Sequence, residues 1–357
     1  MQDGQAIQSP PEALRFSYVP RKGLLKLTIV NFLLTLVTLT IYRFWAKTNV
    51  RRHIWSCVHI NGEPLEYTGT GKELFLGALV VFGVFILPYL LLVGMLSLAY
   101  GSDHPAVFMI QMLFFLIVYV MWGFAVYRAR KYQLSRTNWR GIRGDLVGSA
   151  MTYSLLYFGS QIARSMSFGW ATPVMNTVLQ EQIINDMRFG DAAFKFKGRA
   201  GPLYPTYAIC WVLSLVGIVA LIMGAGAFLP SQGGTAGWSE DNKFVWLVGG
   251  GFAIFLLLTM LFIPALWSIY IAKEIRTFAN YSRFDGAQFH LDATAGSVIG
   301  LAVGNILILV LTLGIGWPYI NQRTVRFVVD RLSLRLIDVD CIRQSQTPLL
   351  RRGEDCR

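Results

Sequence analysis

The sequence predicts an all-α polytopic membrane protein with pseudo-repeats, two spanning helical hairpins, three re-entrant or shallow helical stretches and a small cytoplasmic β element. Three observations carry that prediction. The 357 residues are 54% hydrophobic and only 15% charged, with a mean hydropathy of +0.48. Such a composition belongs to an integral membrane protein. Seven apolar stretches recur, at about 24–42, 74–98, 106–127, 146–169, 206–229, 244–271 and 297–320. The basic residues between them do not alternate as seven crossings would require.

A crossing helix needs roughly 20 apolar residues for a hydrocarbon core of about 30 Å. The stretches 74–98, 206–229 and 244–271 meet that length easily. Lys and Arg favour the cytoplasmic side of a membrane protein. Yet the segments around Arg43–Lys72, Arg128–Arg143, Lys195–Arg199, Lys273–Arg283 and Arg323–Arg357 are all net positive. Only the connections around Ser102–Pro105 and Ser231–Lys243 lack that excess. Holding every basic segment in the cytoplasm makes the second and third stretches one spanning hairpin, and the fifth and sixth another. The first, fourth and seventh then enter and leave on the same side, and both termini are cytoplasmic. The expected division is an N-terminal tail at 1–23, a membrane domain at 24–340 and a basic C-terminal tail at 341–357.

The net charge of +12 lies mostly in connections, so it reads as topology control and contact with anionic headgroups. It gathers in no separate soluble segment, which argues against a nucleic-acid partner. Met1–Ala13 is polar, with Ser9-Pro10-Pro11, and reads as a tail without a cleavable signal. Cys57, Cys210, Cys341 and Cys356 have no CxxC spacing, so neither disulfides nor a zinc site is expected.

Self-comparison is more informative than motif scanning. Thr38-Leu39-Thr40-Ile41 precedes Phe44-Trp45-Ala46 and Arg51-Arg52-His53; Thr312-Leu313-Gly314-Ile315 precedes Pro318-Tyr319, Arg323 and Arg326. A weaker middle copy reads Met166-Ser167-Phe168-Gly169-Trp170-Ala171. Each copy closes one of the three anomalous stretches, near 38–53, 166–171 and 312–327, and reads as a membrane exit followed by a basic amphipathic run. Trp45, Arg51, Arg52, Arg128, Arg130, Trp170, Trp267, Tyr319, Arg323 and Arg326 are the expected interfacial collars.

A second element also recurs. Asn61-Gly62 leads into Leu65-Glu66-Tyr67-Thr68-Gly69, Gly190-Asp191 into Phe194-Lys195-Phe196-Lys197-Gly198, and Asp285-Gly286 into Phe289-His290-Leu291. The chain later runs through Leu332-Ser333-Leu334-Arg335-Leu336. Tight-turn dipeptides followed by alternation predict short strands. Isolated hairpins are marginal in water, so these strands are expected to pair, at least two of those carrying Tyr67, Phe196 and Phe289 directly. Independent interfacial loops are the alternative.

The run from Thr38 through His53, with Ile60-Asn61-Gly62-Glu63-Pro64-Leu65-Glu66-Tyr67-Thr68-Gly69-Thr70-Gly71-Lys72-Glu73-Leu74, resembles the YjgN-like bacterial inner-membrane family, a domain of unknown function. The first copy departs from the family pattern at Thr40, where Gly is expected, and at Phe44, where Pro is expected. The third keeps Gly314 and Pro318 but has Tyr319 in place of Trp. The resemblance implies a multi-pass protein of the bacterial inner membrane, and it implies no activity.

No enzyme is expected. His53, His59, His104 and His290 form no HExxH or Cys/His cluster. Gly69-Thr70-Gly71-Lys72 lacks phosphate-loop spacing and reads as a turn opening a helix. No metal or other cofactor is implied. The polar residues at membrane depth are the better candidates, because burying them is expensive. Asn31, Gln161, Arg164 and Asn305 are the candidate lining of a polar cavity between repeats. The competing reading has Asn and Gln bonding between helices while Arg164 reaches for the interface. The functional expectation is transport or lipid handling through that cavity. The alternative is a non-transporting scaffold that recruits a partner protein or anionic lipids through its sheet and basic collars.

Overall fold

The computed structural model describes residues 15–232, 262–264, 266–284 and 287–335. Residues 1–14 of the expected N-terminal tail, the whole expected C-terminal tail and most of the sixth apolar stretch lie outside the described residues. The rest of the expected N-terminal tail is not a tail, because Phe16–Tyr18 pairs as a strand with Val58–Ile60.

The short strands are far more extensive than the small β element expected. They are β1 (Phe16–Tyr18), β2 (Val58–Ile60), β3 (Glu63–Pro64), β4 (Glu66–Tyr67), β5 (Thr137–Trp139), β6 (Ile142–Leu146), β7 (Met187–Phe189), β8 (Ala192–Phe196), β9 (Ser282–Phe284), β10 (Ala287–Leu291) and β11 (Leu332–Arg335). One sheet holds β1 to β3 and another β4 to β11, each in sequence order, and the pairs are antiparallel. β3 and β4 are halves of one interrupted strand: between them Leu65 donates its N–H to the Val58 carbonyl at 2.9 Å. At the other seam, Arg15 and Ser333 form an antiparallel bridge beside β1 and β11. The ladder closes on itself as a barrel.

The interior explains the closure. Phe16, Ile60, Leu65, Trp139, Ile142, Phe189, Ala192, Phe284, Ala287 and Leu334 form one cluster drawn from all around the ring. Eight-stranded barrels are just wide enough for side chains to fill. A wider ring needs large residues, and aromatics supply the volume: Phe194 lies 4.4 Å from Phe284 and stacks on Phe289 at 6.1 Å between centroids. Alternation does the sorting, with Ala192 and Phe196 buried while Lys195 is exposed. The strands carrying Tyr67, Phe196 and Phe289 do not pair with one another as expected. β4 pairs with β5, and both β8 and β10 pair with β9.

The connections sort by barrel end. Tight turns lie at one end; Asn61 and Gly62 have φ of 50° and 83°, and Arg140 and Gly141 have 50° and 79°. Two consecutive positive φ values give the twist that short antiparallel hairpins prefer. Every helical excursion leaves from the opposite rim and returns to it. Three are elbows: α1 (Leu24–Val37) with α2 (Arg43–Trp55), α6 (Ala150–Met166) with α7 (Thr172–Asp186), and α10 (Ala295–Leu311) with α11 (Trp317–Val329). They join β1 to β2, β6 to β7 and β10 to β11.

The other two excursions are long hairpins. The first is a 30-residue rod, Gly71–Tyr100, followed by the 31-residue α5, Pro105–Ser135. The rod comprises α3 (Gly71–Val81), a π-helical turn at Phe82–Ile86 and α4 (Leu87–Tyr100). Pro88 accounts for the π turn: it has no N–H to donate and its ring crowds the preceding turn. The second long hairpin is α8 (Tyr204–Gln232) with α9, helical over 266–281.

Capping marks the departures. Thr70, Ser149 and Thr294 accept from the backbone N–H of Glu73, Thr152 and Ser297, the N-cap geometry that these residue types favour. The last residues of the outgoing strands, Tyr67, Leu146, Phe196 and Leu291, are all buried and seal the rim. Gly69 and Gly198 are required just beyond, because a Cβ on either would overlap the ring of Tyr67 or Phe196.

The elbows repeat residue for residue. Leu39, Phe168 and Leu313 have φ of 48°, 51° and 49°. The next residue donates its N–H five positions back, Thr40 to Thr35, Gly169 to Arg164 and Gly314 to Leu309. The hydroxyls of Thr38, Ser167 and Thr312 accept from the backbone four residues on. This is a Schellman-type helix stop, and the middle copy is as well formed as the others. Its following helix is not basic, however: α7 contains no Lys or Arg, contrary to the expected basic run. Each tip is apolar and bare, with Leu39, Phe168 and Leu313 exposed by 83%, 84% and 90%.

Thr40 stands at φ 73° where the other elbows have Gly169 and Gly314, both at 86°. A β-branched residue is strained there, and left-handed backbone costs an L-residue roughly 1–2 kcal/mol. The Thr40 side chain is exposed. Thr40→Gly is therefore expected to stabilise the protein by about 1 kcal/mol, read as a higher melting midpoint in detergent. A lower midpoint would mean that the Thr side chain holds the elbow.

Candidate functional site at the α6–α7 elbow

The four candidate polar residues divide among the three elbows. Asn31 of α1 is buried and accepts from Asn49 of α2 at 3.5 Å. Asn305 of α10 donates to Thr324 of α11 at 3.3 Å. Arg164 of α6 donates to Gln161 at 3.3 Å and to Asn176 of α7 at 2.7 Å. Each elbow thus has a polar tie between its two arms. Gln161 and Arg164 are brought together; Asn31 and Asn305 bond within their own elbows. One atom of each tie is left over: Asn31 Nδ2, Arg164 Nε and Asn305 Oδ1 are buried without a partner among the described residues.

At the middle elbow the tie extends into a longer chain. Asn176 donates to Glu274 of α9 at 2.7 Å, and the Tyr270 hydroxyl donates to the same carboxylate oxygen at 2.9 Å. In the other direction Gln161 donates to the Tyr157 hydroxyl at 2.9 Å. Tyr157, Gln161, Arg164, Asn176, Glu274 and Tyr270 form one polar path across three helices, with a cation and an anion bridged by an amide. Sequence reasoning missed Asn176, Tyr270 and Glu274. Asn176 and Glu274 are 98 positions apart, and neither falls in a run that marks it. The available signal was charge balance, since Arg164 needs an acidic or amide partner to sit among apolar helices.

Beside this path lies an apolar groove of about 600 Å³ between α5 and α6. Met112, Phe115, Leu116, Tyr119 and Trp122 line one wall, and Tyr157 and Gln161 belong to the other. The helices diverge around it from a tight contact near the barrel. There Gly123 has no room for a Cβ against Tyr157 and Ser154, and Ser154 donates to the Val120 carbonyl. Gln161 belongs to both groove and polar path, so the groove opens on the Arg164 cluster.

The expected collar residues mostly fasten helices. Arg51 donates to Gln133 at 3.4 Å and to the Tyr67 hydroxyl at 3.3 Å, and Arg52 to the Gly69 carbonyl at 3.2 Å. Trp45 packs on Phe75. Trp170 lies edge-on to Trp211 of α8, and Trp211 donates to the Phe168 carbonyl. Trp267 donates to Ser214 at 2.9 Å. Arg323 donates to the Gly300 carbonyl, Arg326 pairs with Asp330, and the Arg128 guanidinium lies over the Phe124 ring. Among the described residues no three His, Cys, Asp or Glu side chains gather as a metal site.

Three apolar rods, Gly71–Tyr100, Pro105–Ser135 and Gly201–Met223, are each long enough to cross a bilayer. Together with bare apolar elbow tips on one rim of the barrel, they define an integral membrane protein. The chain belongs to the family described as bacterial proteins of unknown function, DUF898, whose model matches residues 14–355. It is similar to the inner membrane protein YjgN of Salmonella typhimurium strain LT2, 33% identical over 114 residues, covering 32% of this chain and 26% of that protein. YjgN proteins of Escherichia coli O157:H7 and K12 are 29% and 28% identical over 115 residues, again 32% of this chain. The match spans about a quarter of the length of these relatives. No solved structure matches.

Proposed function

We propose that this inner-membrane protein handles lipid, holding an anionic lipid with its headgroup at Arg164 and an acyl chain in the α5–α6 groove. The observation that carries this reading is the buried Arg164 Nε, without an acceptor among the described residues, on a guanidinium that donates to Gln161 in the wall of the apolar groove. A guanidinium presents its N–H groups as a fork suited to phosphate, and burial without an acceptor is costly. Lipid is favoured over a polar solute because the groove wall on α5 is almost wholly hydrocarbon and aromatic. The test is retention of lipid through purification, measured by native mass spectrometry on wild type and Arg164 variants.

The reading includes a membrane arrangement. The barrel lies in the cytoplasm, the two long hairpins cross, and the three elbows dip into the near leaflet. Helices of 14 and 17 residues rise about 21 and 25 Å, short of a hydrocarbon core of about 30 Å. In a background lacking the native cysteines, single cysteines at Ser102 and Gly234 are expected to react with an impermeant thiol reagent on intact spheroplasts. Cysteines at Glu66 and His290, both exposed on the barrel, are expected to react only after the membrane is opened. Labelling of the barrel positions in intact spheroplasts would overturn the arrangement.

A further inference from the structure

We propose that the outer wall of the barrel at β8 and β9 carries a binding site for a phosphate-class anion, formed by Lys195, Lys197 and Arg283. The β8–β9 register sets Lys195 directly opposite Arg283, and both side chains are exposed. Like charges directly opposite one another destabilise an antiparallel pair. On its other side Arg283 faces Gln288, not a carboxylate. None of the three cations makes an ion pair among the described residues. Elsewhere Arg140, in the β5–β6 turn, pairs with Glu63, and Lys131 near the end of α5 pairs with Asp145 of β6.

The three cations line a cavity of about 570 Å³, with Thr277, Asn280, Tyr281 and Gln288 completing its polar lining and no carboxylate among the described residues that line it. That volume is in the range of small-molecule sites. An anion there would relieve the Lys195–Arg283 repulsion and accept charge-assisted hydrogen bonds from ammonium and guanidinium groups. Gln288 is already turned to the backbone, donating to the Asn280 carbonyl, which leaves the charged groups free for a ligand. The site lies on β8, β9 and the end of α9, apart from the α5–α6 groove and independent of what that groove binds. Lys197 follows the last residue of β8 at the helical rim, so a lipid phosphate and a soluble phosphate are both within the same chemistry.

The experiment uses the full chain, wild type and the double variant Lys195→Gln/Arg283→Gln, with outward-facing residues that leave the barrel core intact. Melting midpoints are read in detergent at low salt with and without inorganic pyrophosphate, against sodium chloride of equal ionic strength. They are read again in nanodiscs of phosphatidylcholine or phosphatidylglycerol. Ligand binding to the folded state raises the midpoint by mass action. The double variant is expected to melt higher than wild type without anion, because the repulsion is gone, and to lose the anion-dependent rise. A wild-type rise with pyrophosphate identifies a soluble phosphate as competent. A rise only in phosphatidylglycerol discs, lost in the variant, identifies the lipid phosphate. The proposal is overturned if neither probe shifts wild type, or if the variant keeps the wild-type response.

Discussion

Replacing Arg164 with methionine is expected to abolish retention of anionic lipid, with native mass spectra of the purified protein showing the lipid-bound species lost. Lysine at the same position is expected to weaken retention, since it keeps the charge but loses the planar fork. The structure adds a consequence for stability. Asn176 ties Arg164 to Glu274, so methionine leaves a carboxylate at depth without its cation. Breaking such a pair from one side destabilises more than removing both members. Arg164→Met is therefore expected to cost roughly 1–3 kcal/mol, the range for losing a hydrogen-bonded charged group. The double variant Arg164→Met/Glu274→Gln is expected to recover most of that stability and none of the lipid. Unchanged lipid in both single variants would leave Arg164 as a helix fastener.

Truncating Trp139 to alanine is expected to give the largest loss of stability, about 3–5 kcal/mol. The side chain is 2% exposed and stands in the barrel cluster against Phe189. The ring of strands closes around that volume, so the loss should spread to every excursion anchored on it. Trp139→Phe is expected to cost much less. The indole Nε1 is buried without an acceptor among the described residues, so phenylalanine removes an unsatisfied donor along with part of the ring. Melting midpoints in detergent check both variants. Equal losses for Ala and Phe would mean that the indole N–H has a partner.

The elbows were legible because a helix stop is local chemistry. Thr38, Ser167 and Thr312 supply a hydroxyl at the same place, and Gly169 and Gly314 supply the left-handed residue. The turns at Asn61-Gly62 and Gly190-Asp191 were legible for the same reason. Arg140-Gly141 was not, since Arg is an unusual residue at φ 50°. Its reasons are tertiary: the guanidinium reaches Glu63 at 2.7 Å and covers the Trp139 ring at 4.9 Å. That hidden hairpin, β5–β6, lies with β7 between the strands of Tyr67 and Phe196, while β9 separates those of Phe196 and Phe289.

Composition and hydropathy by themselves determined an integral membrane protein, because transfer free energy acts residue by residue along the chain. The tertiary structure alone decided that the scattered strands close into a barrel. Closure depends on contacts such as Arg15 with Ser333 and Phe194 with Phe289, whose partners come from separate segments of the chain. The same holds for Glu274 beside the Arg164 elbow. A hydrogen bond spanning 98 positions forms only when α7 and α9 pack together, and no local pattern in either helix announces it.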